Sequence, residues 1–110
     1  MLDDDRIRIQ HMLDAGRDAL SFIEGREADE ILQNRMLLLA LVKCIEIIGE
    51  AASRVSDEVQ DTTPQIPWRQ IVAMRNRLIH GYFDVNPRII WNTVSQEIPP
   101  LIVPLEKLLL

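Results

Sequence analysis

Residues 36–59 read MLLLALVKCIEIIGEAASRVSDEV, and the placing of their apolar side chains decides the fold. Leu38, Leu41, Ile45, Ile48, Ala52, Val55 and Val59 form one stripe, and Leu37, Ala40, Cys44, Ile47 and Ala51 form a second beside it. Both advance by alternating steps of three and four, the period of a helix and not of a strand. Two adjoining stripes make an apolar face too wide for one neighbour, so the segment from near Asp29 to about Val59 is predicted as the central helix of a bundle. Gly49, Ala51 and Ala52 are small enough for a neighbouring backbone to approach closely, and one such neighbour can belong to a second chain. Cys44 lies within the second stripe and is read as a core residue, not as a nucleophile.

Toward the amino terminus, Asp3 to Asp5 are placed to cap a first helix and complement its dipole. Ile9, Met12, Leu13, Gly16, Ala19, Leu20 and Ile23 then recur at helical spacing until Gly25. On the other side, residues 62–67 (Thr-Thr-Pro-Gln-Ile-Pro) are a break, with Pro67 suited to the first position of a third helix because its missing amide is not needed there. That helix runs to about His80, with Gly81 as its left-handed stop. Asn86-Pro87 reads as an N-cap and a new first turn, opening a fourth helix that carries Ile90, Trp91, Val94 and Ile98. Pro99, Pro100 and Pro104 interrupt the rest of the chain, so the segment with Leu101, Leu105, Leu108 and Leu109 facing inward is predicted as a kinked or separate short helix. No window shows sustained strand alternation, an internal repeat or a glycine-rich phosphate loop. The expected fold is all-α, a four- to five-helix up-down bundle formed by residues 1–110 as one domain.

Composition agrees with that expectation. The 110 residues are 47% hydrophobic and 26% charged, and a chain of this length buries roughly two-thirds of its unfolded surface. One cysteine permits no internal disulfide, which fits a reducing, cytoplasmic setting. The start, Met1-Leu2-Asp3-Asp4-Asp5, is unlike a signal peptide, and the longest apolar run, Met36 to Val42, is too short to span a membrane. A net charge of -5 argues against holding nucleic acid by bulk electrostatics. The charge is unevenly spread, however. Residues 1–60 carry seven basic and 13 acidic side chains, whereas residues 62–96 carry Arg69, Arg75, Arg77 and Arg88 against Asp84 alone. A local cationic zone on an acidic body suits an anionic substrate engaged at one site.

The third helix contains the anomaly. Its apolar stripe is Trp68, Ile71, Val72, position 75, Leu78, Ile79 and Tyr82, and position 75 is an arginine. An arginine there either snorkels along the bundle surface, pairs with a buried acid, or points into a cleft between helices or subunits where an anion binds. Asn76 and His80 lie one turn apart on another face. Arg75 and His80 are about 140° apart around a regular helix, so presenting both to one small substrate requires a distorted helix end or a second chain.

The string Arg75-Asn76-Arg77-Leu78-Ile79-His80-Gly81-Tyr82-Phe83 resembles the Arg-polar-X3-His signature of the HEPN superfamily, in the Arg-X4-His-X-Tyr form of HepT-like toxins. Ile45 to Ala52, Pro64 to Ile71, and Ile90-Trp91 through Ile98-Pro99 are also similar to that family in order and spacing. The resemblance implies a homodimeric, metal-independent ribonuclease with its motif helices at the dimer interface, acting as the toxin of a type VII-like two-gene module. The required chemistry is available. Cleavage through the ribose 2′-hydroxyl needs proton exchange, which an imidazole such as His80 performs near neutral pH, and positive charge beside the phosphorane, which Arg75 supplies. Asn76 is placed to orient the imidazole or donate to a phosphate oxygen. The partner implied is a minimal nucleotidyltransferase antitoxin that transfers AMP onto the motif tyrosine, here Tyr82. A competing reading of the same residues is a non-catalytic helical module that binds a nucleotide or the transferase. Neither reading calls for a cofactor: two histidines, no cysteine cluster and no His-Glu-X-X-His leave a metal site without support. His11 is read as a surface residue, and Trp68 and Trp91 as packing.

Overall fold

The computed structural model describes residues 1–80 and 85–110, without the side chains of residues 79 and 80. Helix α1 spans Asp3–Ile23, α2 Arg35–Ser53, α3 Asp57–Thr62, α4 Trp68–His80, α5 Pro87–Asn92 and α6 Pro99–Leu108. A 3-10 turn over Ala28–Leu32 precedes α2, and a π-helical turn over Thr93–Glu97 joins α5 to α6. Among the described residues there is no strand, and the fold is all-α.

Helix α2 is the centre, as its double stripe requires. It packs against α1 on one side and α4 on the other, and α6 closes onto α1. Leu41, Val42, Cys44, Ile45, Ile48, Ala51 and Ala52 are all buried. They meet Ile9, Met12, Leu13, Ala15 and Ala19 from α1, while Ile90, Val94, Ile98, Leu101 and Leu105 enter from the carboxy-terminal limb. Each Val, Leu, Ile or Met among them contributes roughly 1.5–3 kcal/mol by leaving water.

The single helix expected over residues 29–59 is broken in two places. Asn34 takes an extended conformation, and its side-chain oxygen accepts from Leu37 N at 3.0 Å, starting α2 afresh. After Arg54, Ser56 does the same for α3, accepting from Val59 N. The first break lies ahead of both stripes, whereas the apolar spacing runs through the second because it records which side faces the core, and Val55 and Val59 remain buried after the chain has turned.

At the amino terminus the expected acidic cap is corrected too. Leu2 occupies the N-cap with no side-chain bond, and Asp3, Asp4 and Asp5 fill the first turn, where they complement the dipole. Asp5 is buried and accepts from Ser56 N and Ser56 Oγ, both at 2.8 Å. This pairing of the start of α1 with the end of α2 makes the two helices antiparallel. Arg6, donating to the Leu109 carbonyl at 2.9 Å, does the same for α1 and α6. Helix α1 stops at Ile23, two residues before Gly25, which turns at a φ of 73°.

Pro67 sits one position outside α4 rather than within it, with its carbonyl accepting from Ile71 N. The stop expected at Gly81 lies outside the described residues. Asn86 caps α5 through Arg88 N at 2.9 Å, as expected. The later prolines bend the chain without breaking it. Pro99 and Pro100 have no amide to give to the preceding turn, and the backbone widens to an Ile98 N to Thr93 O bond at 3.1 Å, five residues apart. Ile98 stays helical, so α5, the π turn and α6 form one bent limb.

Candidate active site

The geometry of Arg75 begins with Gly49. A Cβ at position 49 would collide with Arg75 Cβ and lie 2.8 Å from Arg75 Cγ and 3.2 Å from the Ile71 carbonyl oxygen. The absent side chain is therefore what lets α2 and α4 approach here, and the stem of Arg75 fills the gap. The close approach expected of the small residues on α2 is realised at this glycine. With its stem in the apolar seam, the arginine carries its guanidinium outward across α2, which is snorkelling in the ordinary sense.

There it meets Glu50, the next residue after the glycine. Arg75 Nη1 lies 3.1 Å from Glu50 Oε2, while Arg54 Nη2 and Nε lie 2.9 Å from Glu50 Oε1. The side chain of Arg75 is 18% exposed and that of Glu50 47%, so the acid partner is half open to solvent and the pair is partly screened. One carboxylate between two guanidiniums leaves a local excess of positive charge. Arg75 Nε is buried and has no hydrogen-bond partner among the described residues. Of the three explanations for an arginine in the stripe, snorkelling is the one the structure shows; the acid it meets, Glu50, is half exposed rather than buried, and the arginine also borders a groove.

That groove, about 420 Å³ in volume, crosses α1 and α2 and has Arg75 at one side. Arg8 and His11 from α1, Lys43, Glu46 and Glu50 from α2, and Arg54 at its C-cap supply the polar lining. Sequence reading placed the cationic zone in residues 62–96, yet of those arginines only Arg75 enters this groove; Arg69, Arg77 and Arg88 are exposed. The other cations come from the half of the chain that is acidic on average. A signal was present, since Lys43, Glu46, Glu50 and Arg54 recur at steps of three and four opposite the apolar stripes. His11 is exposed, as expected, and also borders the groove.

Asn76 follows Arg75 on α4 and is exposed. The His80 side chain and Tyr82 lie outside the described residues, so the placing expected of them is not part of this geometry. Trp68 is packing, as read: it is buried, and its Nε1 donates to Thr63 O at 3.3 Å and Thr63 Oγ1 at 3.2 Å. Trp91 is half-buried against the core. Cys44 is buried, and its thiol is pushed up from 9.0 to about 11, first by desolvation and then by the charge of Asp18. It stays protonated near neutral pH and makes a poor nucleophile. Among the described residues no group of three or more His, Cys, Asp or Glu is gathered to hold a metal ion. Nor is any described helix long and apolar enough to cross a membrane.

Comparison with known proteins gives this geometry a family. The family described as Ribonuclease HepT-like matches residues 12–108. "Probable ribonuclease HepT" of Thermococcus cleftensis is 39% identical over 80 residues, covering 73% of this chain and 73% of that protein. A "Putative RNase" of Caldanaerobacter subterraneus subsp. tengcongensis is 37% identical over 93 residues, covering 84% and 83%. Another of that name, from Methanocaldococcus jannaschii, is 34% identical over 92 residues, covering 84% and 76%. No solved structure matches the chain significantly. The match across nearly the whole helical bundle, including the seam that holds Arg75, places this chain in the HepT-like ribonuclease family.

Proposed function

We propose that the chain is a metal-independent endoribonuclease, the toxin of a type VII-like HEPN/nucleotidyltransferase toxin–antitoxin module, working in the cytoplasm as a homodimer. Residues 1–110 form one HEPN-like domain in this reading. The observation that carries it is Arg75: a guanidinium held at the α2–α4 seam by Gly49 and Glu50, with surplus positive charge around it. Arg75 binds the scissile phosphate and stabilises its developing charge, His80 exchanges protons with the 2′-hydroxyl or the leaving 5′-oxygen, and Asn76 orients the imidazole. Need for the 2′-hydroxyl selects RNA over DNA. Helix α4 keeps an α-helical backbone through His80, and five residues of such backbone turn through about 140°. This supports a site shared between two chains, with the motif helices at the dimer interface.

Cleavage is expected to survive excess chelator and to leave 2′,3′-cyclic phosphate or 3′-phosphate ends. His80→Ala lowers the rate on the order of 10²- to 10⁴-fold. End-group analysis of RNA incubated with purified protein checks both statements. Loss of activity on chelation, restored by magnesium, overturns the mechanism.

Tyr82 is the residue on which the partner nucleotidyltransferase acts. Each AMP adds a phosphodiester charge and a bulky nucleoside next to the motif, competing with RNA phosphate for the same cations. After co-expression with the transferase, the intact mass rises in steps of about 329 Da per AMP, and Tyr82→Phe abolishes those steps. A mass shift that persists in Tyr82→Phe removes that residue from the scheme.

A further inference from the structure

The geometry points to the groove across α1 and α2 as a track for the RNA sugar-phosphate backbone, with Arg8, Lys43 and Arg54 binding phosphates that flank the one held by Arg75. This inference rests on the ribonuclease reading and extends it to residues outside the motif.

Charge is the first argument. The whole chain nets -5, whereas the groove holds Arg8, Lys43, Arg54 and Arg75 against Glu46 and Glu50, a net of +2 with His11 neutral. These four cations of an acidic body meet because α1 and α2 are antiparallel neighbours, which brings Arg8 opposite the last turns of α2. Glu50 offers little repulsion to an incoming phosphate, since its two oxygens already face Arg54 and Arg75. Each arginine keeps further donors for an anion, because a guanidinium carries five N–H groups in a fixed fork.

The lining identifies which part of the nucleic acid is read. Apart from Ile47 and Ala51 the described lining is polar or charged, and it contains no Phe, Tyr or Trp, so the imidazole of His11 is the one ring a base meets among the described residues. A groove of this kind grips the backbone and lets the bases face outward, so binding is tolerant of sequence and sensitive to salt. The apolar cleft on the other side of α4, bordered by Ile45, Ile48, Ile71 and Met74, has no comparable cations.

The test uses a short, mixed-sequence 2′-O-methyl oligonucleotide, which cannot be cut through the 2′-oxygen, with binding followed by fluorescence anisotropy from about 50 to about 200 mM salt. Arg8→Ala and Lys43→Ala each weaken binding on the order of threefold to tenfold and flatten the slope of log affinity against log salt by about 0.7 per lost phosphate contact. On the all-ribose strand they raise KM and leave kcat nearly unchanged. Arg26→Ala, which removes an exposed cation at the far end of α1, changes neither. Circular dichroism of each variant reports its folding. Unchanged affinity and slope in the Arg8 and Lys43 variants overturn the track, as does an equal effect of Arg26→Ala, which reduces the finding to net charge. A wild-type chain that does not bind the probe overturns both readings. One that binds it but leaves the all-ribose strand uncut overturns the ribonuclease reading, and the binding data then judge the groove by themselves.

Discussion

Arg75→Ala lowers RNA cleavage on the order of 10²- to 10⁴-fold while the bundle remains folded. The loss has two parts. The scissile phosphate loses a permanent positive charge and a planar pair of donors, and Glu50, relieved of one partner, turns into a carboxylate facing the substrate. Arg75→Lys retains the charge but not the fork, so it recovers only part of the rate. Stability falls modestly, because the pair with Glu50 is half exposed while the stem of Arg75 fills the space over Gly49. The same variant tests the shared site. On refolding with His80→Ala, mixed dimers of a shared site are expected to retain one intact pair of Arg75 and His80, and random pairing then restores about a quarter of the sites. Activity that stays absent after mixed dimers have been demonstrated assigns both residues to one chain.

Gly49→Ala is the second large effect. On helix propensity alone the exchange stabilises α2 by up to about 1 kcal/mol. The collision with Arg75 Cβ and Cγ and with the Ile71 carbonyl outweighs that gain, because backbone on one side and a side-chain root on the other cannot rotate away. Overpacking of this kind costs typically about 1–3 kcal/mol, and for a chain of this size that is a drop of several degrees in Tm. Cleavage falls with it, since α4 must move outward and take Arg75 along. Gly16→Ala is the matched control: the new Cβ meets only the tip of Ile102 at 3.3 Å and Ile98 Cγ2 at 3.5 Å, and stability changes by less than about 1 kcal/mol. Thermal melts of the two variants with RNase assays decide the point. Equal melts for Gly49→Ala and the wild type show that the seam is not set by the glycine.

The pattern of burial was legible in the sequence, and its segmentation was less so. Period-3.6 spacing named most of the buried positions of α1 and α2, because each face is a local property of one helix, but Ile47 of the second stripe is exposed at the groove and buried Val42 belongs to neither stripe. The break at Ser56 is hidden since an extended cap changes the direction of the chain without disturbing which side chains face the core, and the one at Asn34 lies ahead of the first stripe residue, where no apolar pattern marks it. Arg75 stood out as a charge in an apolar row. Its partner Glu50 did not, for the pairing depends on where α4 crosses α2, which no local spacing records. For the same reason Arg8, Lys43 and Arg54 were hidden within a segment that is acidic on average.

The buried carboxylate of Asp5 has a further consequence for how narrowly the sequence specifies its fold. Much of the contact between α1 and α2 is made by aliphatic and small side chains, which are nearly interchangeable under a slide of one turn, about 5.4 Å, along the neighbouring helix. Asp5 is not interchangeable. It fits where Ser56 supplies both an amide and a hydroxyl, 51 residues away in the chain, and any displaced alignment strands an anion in an apolar seam. The bond therefore acts as a registration mark, penalising wrong alignments more than it strengthens the right one. Because Arg8 is one turn beyond Asp5 and Arg54 two residues before Ser56, the alignment that satisfies the mark also sets the two sides of the groove opposite each other.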